Sequence, residues 1–433
     1  MPKVRNINFA LLGLGKLGSG FYRIYTEKRD KIREETGYQL NLKKILVKNP
    51  GFRRSVRVPS ELITANPADI ANDSSIQIII DAIGGIEPTF TIIKEMIKSG
   101  KHVISANRML LASKLTEMVQ LASEFNIQIL PEPSLGGGLP IISSLKHNLV
   151  ANDIHSLYGI ISGTSNFILS EMTRREVPLK EVLRSKEMQQ LAESLSIIDY
   201  EGSDAAQKVA IVAAAAFGVE IDYRELYAEG ISDISVFDIQ CAREFGYEIK
   251  MLAIMKDHSD KFEIHVHPTL VPKDHPLTFI RNEYNAFFVR TDLVGDYMMY
   301  GRGVGIEPAS SLILRDLLLI GERIRQTASP KSSFRLGWNP KPIMPMDEIV
   351  SAYYLRFPCV DRPGVVGKIT TVLGDNGINI GSAHAEVNKT HSEELGYVHI
   401  LIDEAKEASI NRALDQIRSL DIMLGPIKLY RII

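Results

Sequence analysis

Along the first 140 residues, apolar positions fall in short, nearly unbroken runs separated by stretches of helical spacing. Residues 4–12 (VRNINFALL) read as a mostly buried strand; GLGKLG follows, and SGFYRIYTEKRDKIREE then repeats apolar residues at helical spacing. LKKILV and SIQIIIDAIGG predict a second and a third strand, and PTFTIIKEMIKSG predicts a helix opened by Pro88 and stopped by Gly100. KHVISAN predicts a strand, KLTEMVQLASEFN a helix and IQILPE a strand. Strict alternation of strand and helix predicts a parallel, doubly wound sheet.

From about 145 to 330 the pattern changes. DIHSLYGIISG, FEIHVHPTLV and NAFFVRTDLVG read as strands without regular crossovers, with helices at 167–175, 180–193, 204–217 and 238–246 and a long amphipathic helix in PASSLILRDLLLIGERIRQ. Four prolines and weak periodicity mark TASPKSSFRLGWNPKPIMPMDE as a linker. After it, the order strand, helix, strand, strand, helix, strand over about 80 residues predicts a ferredoxin-like βαββαβ module. The expected fold is α/β: a Rossmann-like nucleotide-binding domain at 1–145, an α+β domain on a mixed sheet at 146–330, a linker at 331–349 and the ferredoxin-like domain at 350–433.

Bulk properties narrow the picture. With 45% hydrophobic and 24% charged residues and a net charge of −2, nothing favours nucleic acid or an anionic membrane as partner. Two cysteines, Cys241 and Cys359, offer neither a disulfide framework nor a metal spacing. The opening MPKVRNINFALLGLG runs into a glycine turn, not a cleavage site, and VAIVAAAAFGV is too short to span a bilayer, so a cytoplasmic protein is expected.

Five stretches carry candidate chemistry. Gly13, Gly15 and Gly18 have the G-x-G-x-x-G spacing between a strand and a helix, which fits a dinucleotide pyrophosphate at the helix N-terminus or else a structural tight turn. The second strand ends with Lys48, Arg53 and Arg54 and no acid, which favours a 2′-phosphate and hence NADP, with NAD possible; a solvated basic loop is the plainer reading. In LPEPSLGGGLP, Glu132 beside free carbonyls could hold a monovalent cation, or the loop simply connects two domains. Gly163, Thr164, Ser165 and Asn166 end a strand and could hold a carboxylate or cap a helix. Finally, DYEGSDAAQKVA sets Asp204 and Lys208 four apart on one helix face, as a dipole-complementing ion pair or as an acid–base site.

Taken together, GLGKLGSG, AIGGIEP, SGKHVISANR, EPSLGGGLPII, GIISGTSNFIL, EGSDAAQKVAI, DIQCAREFGYEIKMLAI and YGRGVGIEP resemble homoserine dehydrogenases, in that family's order and over about 1–325. VDRPGVVGKI and DNGINIGSA resemble an ACT domain, an amino-acid-sensing module. The resemblance implies NAD(P)H-dependent interconversion of L-aspartate 4-semialdehyde and L-homoserine by a homodimer or homotetramer, with threonine as the natural effector. It implies Lys208 as proton donor with Asp204 beside it, Glu193 and Asp199 on the substrate amine, and Gly163 and Thr164 in the substrate loop. Cofactor contacts are expected at Gly13, Leu14, Gly15, Lys16, Leu17, Gly18, Lys48, Arg53, Gly84, Ser105, Arg108 and Gly305. Sodium is implied at Glu132 with the backbone oxygens of Leu135, Gly137 and Leu139, and an effector at Gly377, Asn379 and the 361–367 loop. The helix over 305–330 is expected to pack back on the nucleotide domain. Two departures stand out: Arg108 replaces the family's lysine, and Leu195-Ser196 replaces an Asp-Pro near Glu193.

Overall fold

The computed structural model describes residues 5–191, 200–326, 341–387 and 395–433. Its first sheet is built from β1 (Arg5–Leu12), β2 (Tyr38–Leu46), β3 (Ile63–Thr64), β4 (Ile78–Asp81), β5 (His102–Ser105) and β6 (Ile129–Leu130). The order is β3-β2-β1-β4-β5-β6, and every pair is parallel. Its central strands are buried on both faces, which is why Ile78, Ile79 and Ile80 can follow one another without alternation. The strand order reverses between β1 and β4, and that reversal opens a crevice at their C-terminal ends.

The second sheet joins β7 (Ile154–Ile160), β8 (Tyr247–Asp257), β9 (Phe262–Pro272), β10 (Tyr284–Thr291) and β11 (Asp296–Arg302) to the C-terminal module. That module contributes β12 (Val350–Val360), β13 (Ile380–Val387), β14 (Leu395–Lys406) and β15 (Lys428–Ile432), with helices Val365–Asp375 and Glu407–Arg418 between them. The nine-strand order is β11-β10-β7-β8-β9-β15-β12-β14-β13. The βαββαβ unit therefore continues the neighbouring sheet: Arg431 pairs with Thr269 and Ile432 with Leu270 in parallel.

Several elements differ from the sequence reading. The helix at 163–175 starts four residues earlier than the periodicity indicates, because Ser162 caps it by accepting from the Ser165 N–H at 3.2 Å. The 204–217 run is an α-helix over Ser203–Val212 that widens into a π turn over 213–217. The 180–193 stretch holds two short helices, Leu179–Leu183 and Lys186–Leu191, and its end lies outside the described residues. Neither β8 nor β11 is evident from the pattern. The helix Ile306–Gln326 lies against the helix Lys16–Thr36 and β1: a Cβ on Gly20 would meet Ile306 at 2.2 Å, and one on Gly321 would meet Ile7 at 2.1 Å.

Candidate active site

The crevice at the reversal point is a cavity of about 750 Å³. Gly13, Leu14, Gly15, Lys48, Arg54 and Gly84 are among its lining residues. Gly13 has φ 99, and a Cβ there would lie 2.6 Å from Ala82 O. A Cβ on Gly18 would lie 2.2 Å from Gly13 O, so helix and strand close on each other only with glycine at both places. Gly15, in contrast, has no atom within 4 Å of a built Cβ, which leaves the N-terminus of the helix Lys16–Thr36 open to a ligand. These residues fit a dinucleotide.

Lys48 lines this cleft, whereas Arg53 is exposed and outside its lining. Arg54 takes Arg53's place there, its guanidinium folded onto the carbonyls of Asn49, Pro50 and Phe52 at 2.5, 3.2 and 2.8 Å. Lys16 is exposed and Leu17 half-buried in the helix's first turn. Ser105 donates to Asp81 Oδ2 at 2.8 Å. Gly305, at φ 130, packs against Pro308 at the start of the helix Ile306–Gln326.

The N-cap of the helix Ser203–Val212, Gly202, adopts φ 91. Asp204 and Lys208 are both buried, each 4% exposed. Lys208 Nζ lies 2.8 Å from Asp204 Oδ2 and donates to the Ile161 carbonyl at 3.1 Å. Asp204 Oδ1 pairs with Arg108 Nη1 at 2.6 Å, and Arg108 Nε donates to Gln207 Oε1 at 3.2 Å. One buried acid is thus shared by two cations from two different helices. Arg108 opens the helix that follows β5, and that helix is capped by Asn107, which also donates to Gly85 O at 2.7 Å. Burial alone would raise the Asp204 carboxyl; Lys208 and Arg108 outweigh it and hold the group below its ordinary range.

The loop after β6 closes the site from a third side, with Gly136 placed so that a Cβ would be 3.7 Å from Lys208 Nζ. Glu132 in that loop accepts from Ile142 N–H at 2.8 Å, Ser143 N–H at 2.9 Å, Ser143 Oγ at 2.7 Å and Arg315 Nη2 at 3.4 Å. Three of these donors crowd Oε2, whereas Oε1 accepts only from Ile142 and keeps room for a further partner such as a cation. Gly163 fits against Glu283 O, which a Cβ would approach to 2.6 Å, and Thr164 beside it is half-buried. Glu193 and Asp199 lie outside the described residues, as do Leu195 and Ser196.

Sequence reasoning missed several supports of this site. Asn285 donates to the Ile161 carbonyl at 3.1 Å, the same oxygen that Lys208 uses. Asn166 Nδ2 reaches the carbonyls of Ile280, Asn282 and Tyr284 at 3.3, 3.0 and 3.1 Å and so fixes the loop under Gly163. Only Asn166 had a signal, as the last residue of the GTSN turn. In the C-terminal module, Gly377 and Asn379 are exposed, and Asn379 donates to Asp403 at 2.6 Å.

A parallel Rossmann-like sheet with an open glycine turn, a Lys–Asp–Arg cluster around one buried acid and a fused βαββαβ module define a nicotinamide-dependent oxidoreductase with a C-terminal ACT-type domain. Residues 13–132 match the profile described as homoserine dehydrogenase, NAD binding domain, residues 140–318 match homoserine dehydrogenase, and residues 353–421 match the ACT domain. The homoserine dehydrogenase of Bacillus subtilis is 32% identical over 99% of both chains, and that of Synechocystis is 33% identical over 96% of both. A solved homoserine dehydrogenase from Thiobacillus denitrificans superposes with a TM-score of 0.88 at 34% identity, covering 99% of this chain and 98% of that one. The chain belongs to the homoserine dehydrogenase family, oxidoreductases acting on CH–OH. Among the described residues, no helix is long and apolar enough to cross a membrane.

Proposed function

We propose that this chain reduces L-aspartate 4-semialdehyde to L-homoserine, preferring NADPH, with Lys208 as the proton donor. The observation that carries the reading is the Lys208–Asp204–Arg108 cluster, in which Lys208 and Asp204 are buried and Arg108 comes from the helix that follows β5 of the parallel sheet. A bound nicotinamide would supply hydride to the aldehyde carbon. As negative charge grows on the aldehyde oxygen, Lys208 Nζ stabilises it and passes it a proton. Asp204 aims the ammonium, and the Ile161 carbonyl fixes a second of its three hydrogens. Gly163 and Thr164 would seat the carboxylate, and Glu193 and Asp199 the amine, turning binding into orientation. In the cofactor site, Lys48 beside the loop tied by Arg54 supports a 2′-phosphate. The test is NADPH consumption with the semialdehyde by the full chain. No turnover with either cofactor would refute the reading.

A sodium ion would sit against the Leu135, Gly137 and Leu139 carbonyls with Glu132 as its anion, through Oε1, which accepts only from the Ile142 N–H. Turnover unchanged between sodium-free buffer and 100 mM-range sodium, on the order of the ionic strength used to screen surface charge, would count against it.

A further inference from the structure

The edge of β9 that faces away from β8 is shared by two segments set end to end. Ala228 bridges Val266 in parallel, with the Glu229 N–H on Val266 O at 2.8 Å and the Val266 N–H on Tyr227 O at 2.9 Å. Three residues along, β15 takes over, with Arg431 opposite Thr269. The last strand of the ACT module therefore abuts segment 227–229, and side chains meet at the junction. Arg431, 4% exposed, donates through Nε to Glu407 Oε2 at 3.0 Å and through Nη2 to Glu407 Oε1. Tyr353 Oη donates to the same Glu407 Oε2 at 2.8 Å. On its other side the guanidinium reaches Glu229 Oε1 at 3.4 Å and Tyr227 Oη at 3.2 Å, and it lies over the Tyr227 ring at 5.0 Å. One buried cation thus joins a carboxylate of the ACT helix Glu407–Arg418 to a carboxylate outside the module.

Glu229 leads directly to the active site. The Ile231 N–H donates to Tyr200 O at 2.8 Å. A Cβ on Gly230 would lie 2.4 Å from Glu201 Cα, and one on Gly202 would lie 3.0 Å from Glu229 O. Backbone 229–231 therefore rests on backbone 200–202 with no side chain between. Gly202 is the N-cap of the helix whose second residue is Asp204. Contact of backbone on backbone has no rotamers with which to absorb a displacement, so a shift of Glu229 reaches Asp204 and Lys208.

We infer that Arg431 is a positioning residue for the active site: by holding Glu229 it sets the Gly230–Gly202 contact, and the ACT module thereby controls turnover through one shared cation. This rests on Asp204 and Lys208 being the proton-transfer pair. The test uses the full chain carrying Glu229→Ala, Arg431→Met or both, read by steady-state kinetics and by amide hydrogen exchange. Each single change should lower kcat by about tenfold to a hundredfold, as displaced catalytic groups do, with KM for NADPH unchanged. Amides of residues 206–210 should exchange faster while those of β1 and β4 do not. The double variant should lose no more than the worse single. The Glu229 side chain is 43% exposed, so its truncation spares the core and decides the matter even where Arg431→Met does not fold. Unchanged kcat and unchanged exchange in Glu229→Ala, or losses that add in the double variant, would overturn the inference. A wild-type chain without turnover whose 206–210 amides still respond to Glu229→Ala would sink the catalytic reading and leave the coupling standing.

Discussion

Replacing Lys208 by methionine is the sharpest perturbation of the proposed chemistry. Methionine fills nearly the same volume, so the change removes an ammonium rather than opening a cavity. Two contacts disappear, to Asp204 Oδ2 at 2.8 Å and to the Ile161 carbonyl at 3.1 Å. Asp204 does not become an orphan charge, because Arg108 remains 2.6 Å from its other oxygen. The stability loss should therefore be about 1–3 kcal/mol, below that for a buried pair left with no compensation. The kinetic loss is set by a missing general acid, about two to four powers of ten in kcat. At about 1.36 kcal/mol per decade this is roughly 3–5 kcal/mol on the barrier. NADPH affinity, followed by quenching of protein fluorescence, should stay within about twofold, since uniform binding is untouched. Steady-state assays in both directions, beside a thermal melt, separate these effects. Near-normal kcat in Lys208→Met, together with a dead Arg108→Met, would refute the assignment and make Arg108 the reacting cation.

Three further outcomes are expected. Lys48→Ala should raise the KM for NADPH by the worth of a charge-assisted contact, about 1.5–3 kcal/mol or roughly tenfold to a hundredfold, and leave that for NADH nearly unchanged; equal effects on both cofactors would dismiss the 2′-phosphate contact. Burial pushes the Asp81 carboxyl up to about 7 against the pull of its Ser105 and Ile83 hydrogen bonds, so its contribution to stability is full below the ordinary carboxylate range and fades as pH rises towards 7. Urea midpoints from pH 4 to 8, a span on the order of the shift itself, should fall for the wild type relative to Asp81→Asn, and parallel curves would rule this out. Threonine should inhibit the intact chain, and Asn379→Ala should raise the half-inhibiting concentration about tenfold, the worth of one hydrogen bond; insensitivity to threonine, methionine and isoleucine alike would mark the ACT module as effector-blind.

How much of this was legible in the sequence follows from where information sits along the chain. The parallel sheet was legible because strands buried on both faces, such as Ile78–Asp81, read as bare apolar runs bounded by glycine. The ACT module was legible because its elements alternate in a short, familiar order. β8 was not: Tyr247–Asp257 is also buried on both faces, but it carries Lys250 inside, where Nζ donates to Ile280 O at 2.7 Å, and that charge breaks the apolar run. β11 was missed because Asp296–Arg302 is an edge strand of mostly half-buried residues leading into a glycine motif. The Asp204–Lys208 pair could be read from a spacing of four. Arg108 could not be joined to it, because nothing local links positions 96 residues apart that meet only when two separate helices pack together. The shared edge of β9, with Arg431 at the junction, is invisible for the same reason.

Arg108 also bears on how Lys208 can give up a proton from a buried site. A lysine that loses its proton beside a buried carboxylate ordinarily leaves that carboxylate uncompensated, and the low dielectric makes this expensive. Here the Arg108 guanidinium lies 2.6 Å from Asp204 and can go on compensating its charge. Guanidinium does not deprotonate at any working pH, so it neither competes as the donor nor drops its charge when Lys208 becomes neutral. A lysine at position 108 would leave two ammonium groups sharing one acid, and either could release the proton. With arginine there, the division of labour in the proposed mechanism is fixed: Arg108 compensates the charge on Asp204, and the proton comes from Lys208. The departure from the family's lysine at this position is therefore compatible with the proposed proton transfer, and it leaves Lys208 as the one cation of the cluster able to release a proton.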